Sequence, residues 1–233
     1  MLTRRALVAT TGITALFLTS LAISPAIAHE QSSNKGQSKT VTLTAQLTEL
    51  NGSGVTGNAT AVVRNQKIRH IEVHASGLTP DAPHAQHIHF GEQARNECPT
   101  LALYDTNDDG RLNTVEGTPA YGPIVVSLTT TGDTSPASSL AVSRFPVASG
   151  GELNYSRDNI EFTDAAGVGY SSGTGTAKQI ADSVRAGKGV VVIHGIDYDG
   201  NGMYSFSEPE GASELDPSLP AEATDPVSCG VLN

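Results

Sequence analysis

Two twelve-residue stretches contain the residue types that hold a hard cation. Residues 105–116 read DTNDDGRLNTVE and residues 197–208 read DYDGNGMYSFSE. Oxygen donors fall at positions 1, 3 and 5: Asp105, Asn107 and Asp109 in the first, Asp197, Asp199 and Asn201 in the second. Gly110 and Gly202 stand at position 6, where the EF-hand loop turns sharply, and Glu116 and Glu208 close the loops at position 12. The backbone carbonyls of Arg111 and Met203 would serve at position 7, and Asn113 and Ser205 could act through water at position 9. Ca²⁺ takes six to eight oxygens at about 2.3–2.6 Å, and this spacing turns alternate donors inward. The bland alternative is a pair of solvated acidic turns. Neither loop is flanked by paired long helices, so calcium would be a structural clamp in a β fold.

The histidines are the second feature with chemistry. There are seven, and His84, His87 and His89 crowd into HAQHIH while His194 ends VVVIH. On a strand, residues i and i+2 project to one face about 6.6–6.8 Å apart, so His87 and His89 can converge on one ion. A third ligand must come from elsewhere, and His194 is the downstream candidate. Imidazoles suit copper or zinc; a polar strand face is the competing explanation. His70, Glu72 and His74 also share a strand face and read as a solvated surface. His29 would chelate copper only if it became the N-terminal residue.

These groups need a scaffold, and the rest of the chain describes one. Residues 1–28 combine Arg4 and Arg5, an uncharged apolar run and Ala26-Ile27-Ala28, the pattern of an export signal. The arginine pair partly resembles a twin-arginine signal and equally fits general export. The expected product is secreted or held in the cell envelope. Loss of the two arginines takes the net charge from −10 to −12, which argues against nucleic acid and anionic membranes and suits cations. No membrane insertion is expected, metal ions are the expected partners, and protein partners are left open. Cys98 and Cys229 are the two cysteines, an even pair that reads as a disulfide in an exported chain.

After a polar tail at 29–40, the domain runs over 41–233. Alternating or apolar runs predict strands at 41–49, 55–64, 67–76, 84–90, 123–129 and 188–195. AKQIADSVRA predicts a short helix at 177–186 that Gly187 ends. Residues 130–175, rich in Ser, Gly and Thr, predict long loops with one or two short strands. The fold class is all-β, an antiparallel sandwich or barrel.

Four ordered segments resemble one family. GLTPDAPHAQHIHFGE (77–92) is similar to the copper-site strand of Cu/Zn superoxide dismutases, VVVIHG (190–195) to the strand with their last copper ligand, and SCGVL (228–232) to the ending around their second cysteine. The hairpin at 41–76 matches their opening strands, and the related chordin-type (CHRD) domains are similar too. The resemblance spans most of 41–233, with a poorly matched middle at 99–185. It implies a Greek-key β-barrel or sandwich, copper on His87, His89 and His194, a structural His84 and a Cys98–Cys229 bridge.

The departures bear on activity. No histidine lies between His89 and His194, so the family's bridging and zinc-ligand histidines are missing and zinc is not expected. Tyr104 stands where the bridging histidine belongs, Pro226 where a superoxide-attracting arginine belongs, and the second acidic loop replaces the charged guiding loop. The expectation is a metal-binding, dismutase-like protein with two Ca²⁺, an optional copper and weak or absent dismutase activity. No catalytic residue is assigned. One alternative is a working copper-only dismutase, with Tyr104 or water as proton donor. Another is a calcium-stabilised β domain with a structural or adhesive role.

Overall fold

The computed structural model describes residues 40–207 and 209–233. The expected leader, and the tail up to residue 39, lie outside the described residues. Eight strands form one curled antiparallel sheet. They are β1 (Thr40–Glu49), β2 (Thr56–Arg64), β3 (Lys67–Ser76), β4 (Gln86–His89), β5 (Ile124–Ser127), β6 (Glu152–Glu161), β7 (Gly189–His194) and β8 (Pro226–Leu232), in the spatial order β5-β4-β7-β8-β1-β2-β3-β6. Four short helices lie in the connections: α1 (Leu101–Tyr104), α2 (Thr114–Tyr121), α3 (Ala177–Ser183) and α4 (Ala221–Thr224). The all-β expectation holds.

Side-chain alternation explains which face is inside. In β1 and β2, Leu43, Ala45, Leu47, Ala59, Ala61 and Val63 point into the main core while their neighbours face out. In β3 the buried set steps from Ile68 to Ile71 and Val73. That change of parity coincides with a bulge opposite Val62/Val63, which leaves Arg69 without a partner in the register.

β7 is buried along its whole length, as a strand covered on both faces must be. Val191 and Ile193 enter the main core, whereas Val190 and Val192 join a second cluster with Leu50, Tyr104, Leu112, Tyr121 and Cys229. The second cluster is capped by the segment carrying α1 and α2. The Cys98–Cys229 disulfide, with Cα atoms 5.6 Å apart, staples the start of that segment to β8. Replacing both cysteines by serine should cost about 2–5 kcal/mol of stability, read from urea unfolding midpoints; an unchanged midpoint would mean that packing alone seats the segment.

The region 130–175 differs from expectation. It contains β6, a ten-residue strand rather than short fragments. Its sequence, ELNYSRDNIE, has few β-branched residues, but it pairs with β3 from end to end, and Leu153, Tyr155 and Ile160 bury one face. Long-range pairing overrides its weak local preference. Across the curl, the Tyr155 hydroxyl donates to the Thr129 carbonyl at 3.2 Å. Arg157 donates to the carbonyls of Thr129 and Gly132 and, at 2.7 Å, to the Thr129 hydroxyl. The helix expected at 177–186 is present as α3, and the turn after it closes at Gly187 with φ 85°.

Candidate metal centre

β4 and β7 are hydrogen-bonded neighbours, with His87 opposite Val192. His87 and His89 therefore project to the same face as Val190 and Val192, beneath the covering segments. His194 ends β7, where its amide donates to the Ala85 carbonyl at 2.8 Å. The three imidazoles come together there, with ring centroids 5.3–6.1 Å apart. Each offers a nitrogen within 4.8 Å of the other two.

The hydrogen bonds fix which nitrogens these are. His89 Nδ1 lies 2.7 Å from the Gly122 carbonyl, His194 Nδ1 2.7 Å from the Thr224 carbonyl, and His87 Nε2 3.2 Å from the Ser139 carbonyl. A carbonyl only accepts, so each of these nitrogens carries the proton and donates. The opposite nitrogens, His87 Nδ1, His89 Nε2 and His194 Nε2, are left with lone pairs. All three are buried without a partner. Metal-ligating histidines are held in this way, with the second N–H on a carbonyl.

Electrostatics keeps the lone pairs free. Burial, with repulsion from His194 and His89, drives His87 well below its ordinary pKa. Burial and His194 push His89 down to about 3, and burial takes His194 to about 4. The surroundings are largely apolar: the Tyr121 ring packs edge-on to His89 at 4.5 Å and the Phe145 ring edge-on to His87 at 5.2 Å. Against His87 and His194 lies a cavity of about 30 Å³, walled by Ile124, Leu140, Val142, Leu215, Leu219 and Ala223, roomy enough for a water-sized molecule. Among the described residues, no Lys or Arg lines it. His84 is a packing residue, its ring nitrogens 2.9 Å from the His194 carbonyl and 3.1 Å from that of Thr79. His70 and His74 are on the exposed face, bonded to Asp158 and Asn154. The Tyr104 hydroxyl donates to Glu97 at 2.8 Å; the tyrosine against the triad is Tyr121.

The two acidic loops have the same internal architecture. The position-5 amide donates to the position-1 carboxylate (3.2 Å from Asp109 to Asp105, 3.1 Å from Asn201 to Asp197). The position-6 amides of Gly110 and Gly202 donate to the other oxygen of the same carboxylates at 2.9 and 2.7 Å. Both glycines have φ near +85°, a conformation that costs a side chain energy.

Beyond position 6 the loops diverge. In the first, Glu116 accepts from the Thr106 amide at 2.8 Å and completes a capping box with Asn113 at the start of α2. Arg111, whose carbonyl was the expected donor, also extends its guanidinium to Asp225 at 2.6 Å, to Asp109 at 3.3 Å and to Glu214. In the second loop, the side chain that joins Asp197 and Asp199 within 4.8 Å is Glu222 of α4, which sequence reasoning missed. It follows position 12 on a separate helix, and no spacing rule links it to the loop. Glu208 lies outside the described residues. Met203 is exposed, its amide donating to Asn201 at 2.9 Å.

No helix among the described residues is long and apolar enough to cross a membrane. Among the described residues, two groups are able to hold metal ions, one of three buried imidazoles and one of three carboxylates. No protein-family model matches the chain, and no curated protein matches it either.

Proposed function

We propose that this is a secreted metal-binding protein of the superoxide dismutase-like type, with copper on His87, His89 and His194, calcium in the two acidic loops, and weak or absent dismutase activity. The supporting observation is the set of three buried, unpartnered nitrogens turned toward one another by three backbone carbonyls. A buried polar atom without a partner costs about 1–3 kcal/mol, and here three such atoms lie together. Neutral nitrogen donors suit copper or zinc, and the resemblance of these strands to the copper-site strands of superoxide dismutases favours copper. The disulfide fits an oxidising compartment.

Copper, when bound, supplies one-electron redox chemistry. This chain's residues would hold it, fix the ring orientations and restrict water to a small apolar cavity. They lack two aids to turnover on superoxide. No histidine is available as a bridging proton carrier, and among the described residues no cation in the cavity wall attracts an anion. The expected result of elemental analysis on the folded, disulfide-bonded protein, supplied with Cu, Zn and Ca, is about one copper and two calcium per chain, with the copper lost in His194→Ala. Calcium without copper would remove redox chemistry from consideration and leave a calcium-clamped scaffold.

A further inference from the structure

The four-residue helix α4 touches both candidate metal groups. At one end is Glu222, fully buried and in no ion pair among the described residues. Its carboxylate accepts from three amides of the second loop: Tyr198 at 3.0 Å, Asp199 at 3.4 Å and Ser205 at 2.7 Å. The hydroxyls of Ser207 and Ser205 add contacts at 2.9 and 3.4 Å. At the other end is Thr224, whose carbonyl accepts from His194 Nδ1 at 2.7 Å and from the Thr114 hydroxyl at 2.5 Å. In addition, the Ile196 amide donates to the Glu222 carbonyl at 2.8 Å, and the Gly195 amide to that of Asp225, the residue that follows α4, at 2.9 Å. The chain from His194 to Asp199 is thereby laced to α4 along its length.

A buried carboxylate with only neutral donors lacks the counter-charge that burial ordinarily demands. A divalent cation between Asp197, Asp199 and Glu222 would supply it, and would fix α4 against the loop. The same helix carries the carbonyl that sets the tautomer and direction of the His194 ring. We infer that cation binding at the second acidic loop and metal binding at the three histidines are thermodynamically coupled through α4, with Glu222 acting as a positioning residue for His194. This rests on the reading of both groups as metal sites, and it goes further by making one regulate the other. Coupling of this kind is reciprocal.

The test measures Cu(I) affinity by competition with a chromophoric chelator, in calcium-free protein and in saturating calcium, and calcium affinity by calorimetry with and without Cu(I). Cu(I) is soft and disfavours an all-oxygen loop, so the two ions report separate sites. Each ion is expected to raise the other's affinity about tenfold. Glu222→Gln and the exposed-loop variant Asp199→Asn should keep Cu(I) binding and lose its response to calcium; the second preserves the test should the first fail to fold. In the metal-free protein, calcium should also shift the His194 Nδ1–H proton resonance. If both ions bind and neither alters the other's affinity, the coupling is overturned while the metal-site reading stands. If calcium or Cu(I) fails to bind at all, the coupling falls together with that site's assignment.

Discussion

His194→Leu is expected to lower Cu(I) affinity by at least about 100-fold, while changing the stability of the metal-free protein by less than about 1 kcal/mol. Loss of a hydrogen-bond partner behind a metal ligand commonly costs 10–100-fold in affinity, and loss of the ligand itself should cost at least as much. Stability behaves differently because the native ring contributes opposing effects. Its Nε2 is buried and unpartnered, a burden of about 1–3 kcal/mol that leucine removes. Its Nδ1–H bond to Thr224 is lost, worth about 1 kcal/mol, but that carbonyl keeps the Thr114 hydroxyl as donor. Leucine would also meet apolar neighbours, since Val142, Leu215 and Leu219 wall the adjoining cavity. Urea unfolding of the metal-free variant and chelator competition check the two halves. A large stability loss would show that the ring is a packing element whose free nitrogen is incidental.

Acidification is expected to destabilise the metal-free protein steeply between about pH 6.5 and pH 4. In the folded state burial holds His89 and His194 neutral down to about 3 and about 4, with His87 also well below 6.5. Unfolded, all three protonate near 6.5. As pH falls through this window the unfolded state takes up protons that the folded state refuses, so stability falls with pH. Asp225 opposes the trend. Burial, partly offset by Arg111, raises it to about 7; the folded state then binds a proton that unfolded aspartate gives up, and its contribution declines as pH rises. His84, also lowered by burial, adds to the three imidazoles, while His70, raised by Asp158 and Glu72, sides with Asp225; the net effect is loss of stability as pH falls, on the order of 1 kcal/mol per pH unit for each net proton. Chemical denaturation at pH 7.5 and pH 5 reads it, and His89→Leu should flatten the curve. A flat curve in the unsubstituted protein would mean that the rings are solvated.

Much of this was legible in the residues because local pattern and long-range structure agree there. The strands at 41–49, 55–64 and 67–76 alternate cleanly, and the structure places β1, β2 and β3 within a residue of those limits. His87 and His89 converge because a strand has period two, and His194 because β7 pairs with β4. Two features were hidden for physical reasons. β6 derives its extended state from β3 and from one buried face, neither of which its own composition announces. Glu222 reaches the second loop through the fold of the chain between residues 209 and 221, whereas a motif reports only ligands at fixed offsets. In the first loop the spacing also matches the motif, and the fold adds roles that spacing does not announce: Glu116 caps α2 and Arg111 joins an ion-pair network with Asp225.

The contacts from Tyr155 and Arg157 to Thr129 and Gly132 have a consequence for behaviour at high concentration. An open sheet ends in two strands whose unpaired amides and carbonyls can recruit another chain. Here β6, at one end, places Glu152, Arg157, Asp158 and Glu161 along its length and is tied by its own side chains to the residues that follow β5. At the other end β5 is four residues long, and the Ser127 amide and hydroxyl are taken by the carbonyls of Thr134 and Ser135. Charge blunts one margin, and brevity with a covering segment blunts the other. The domain is built against strand-by-strand polymerisation, and Arg157→Ala, which frees the first margin, should make it more prone to aggregate.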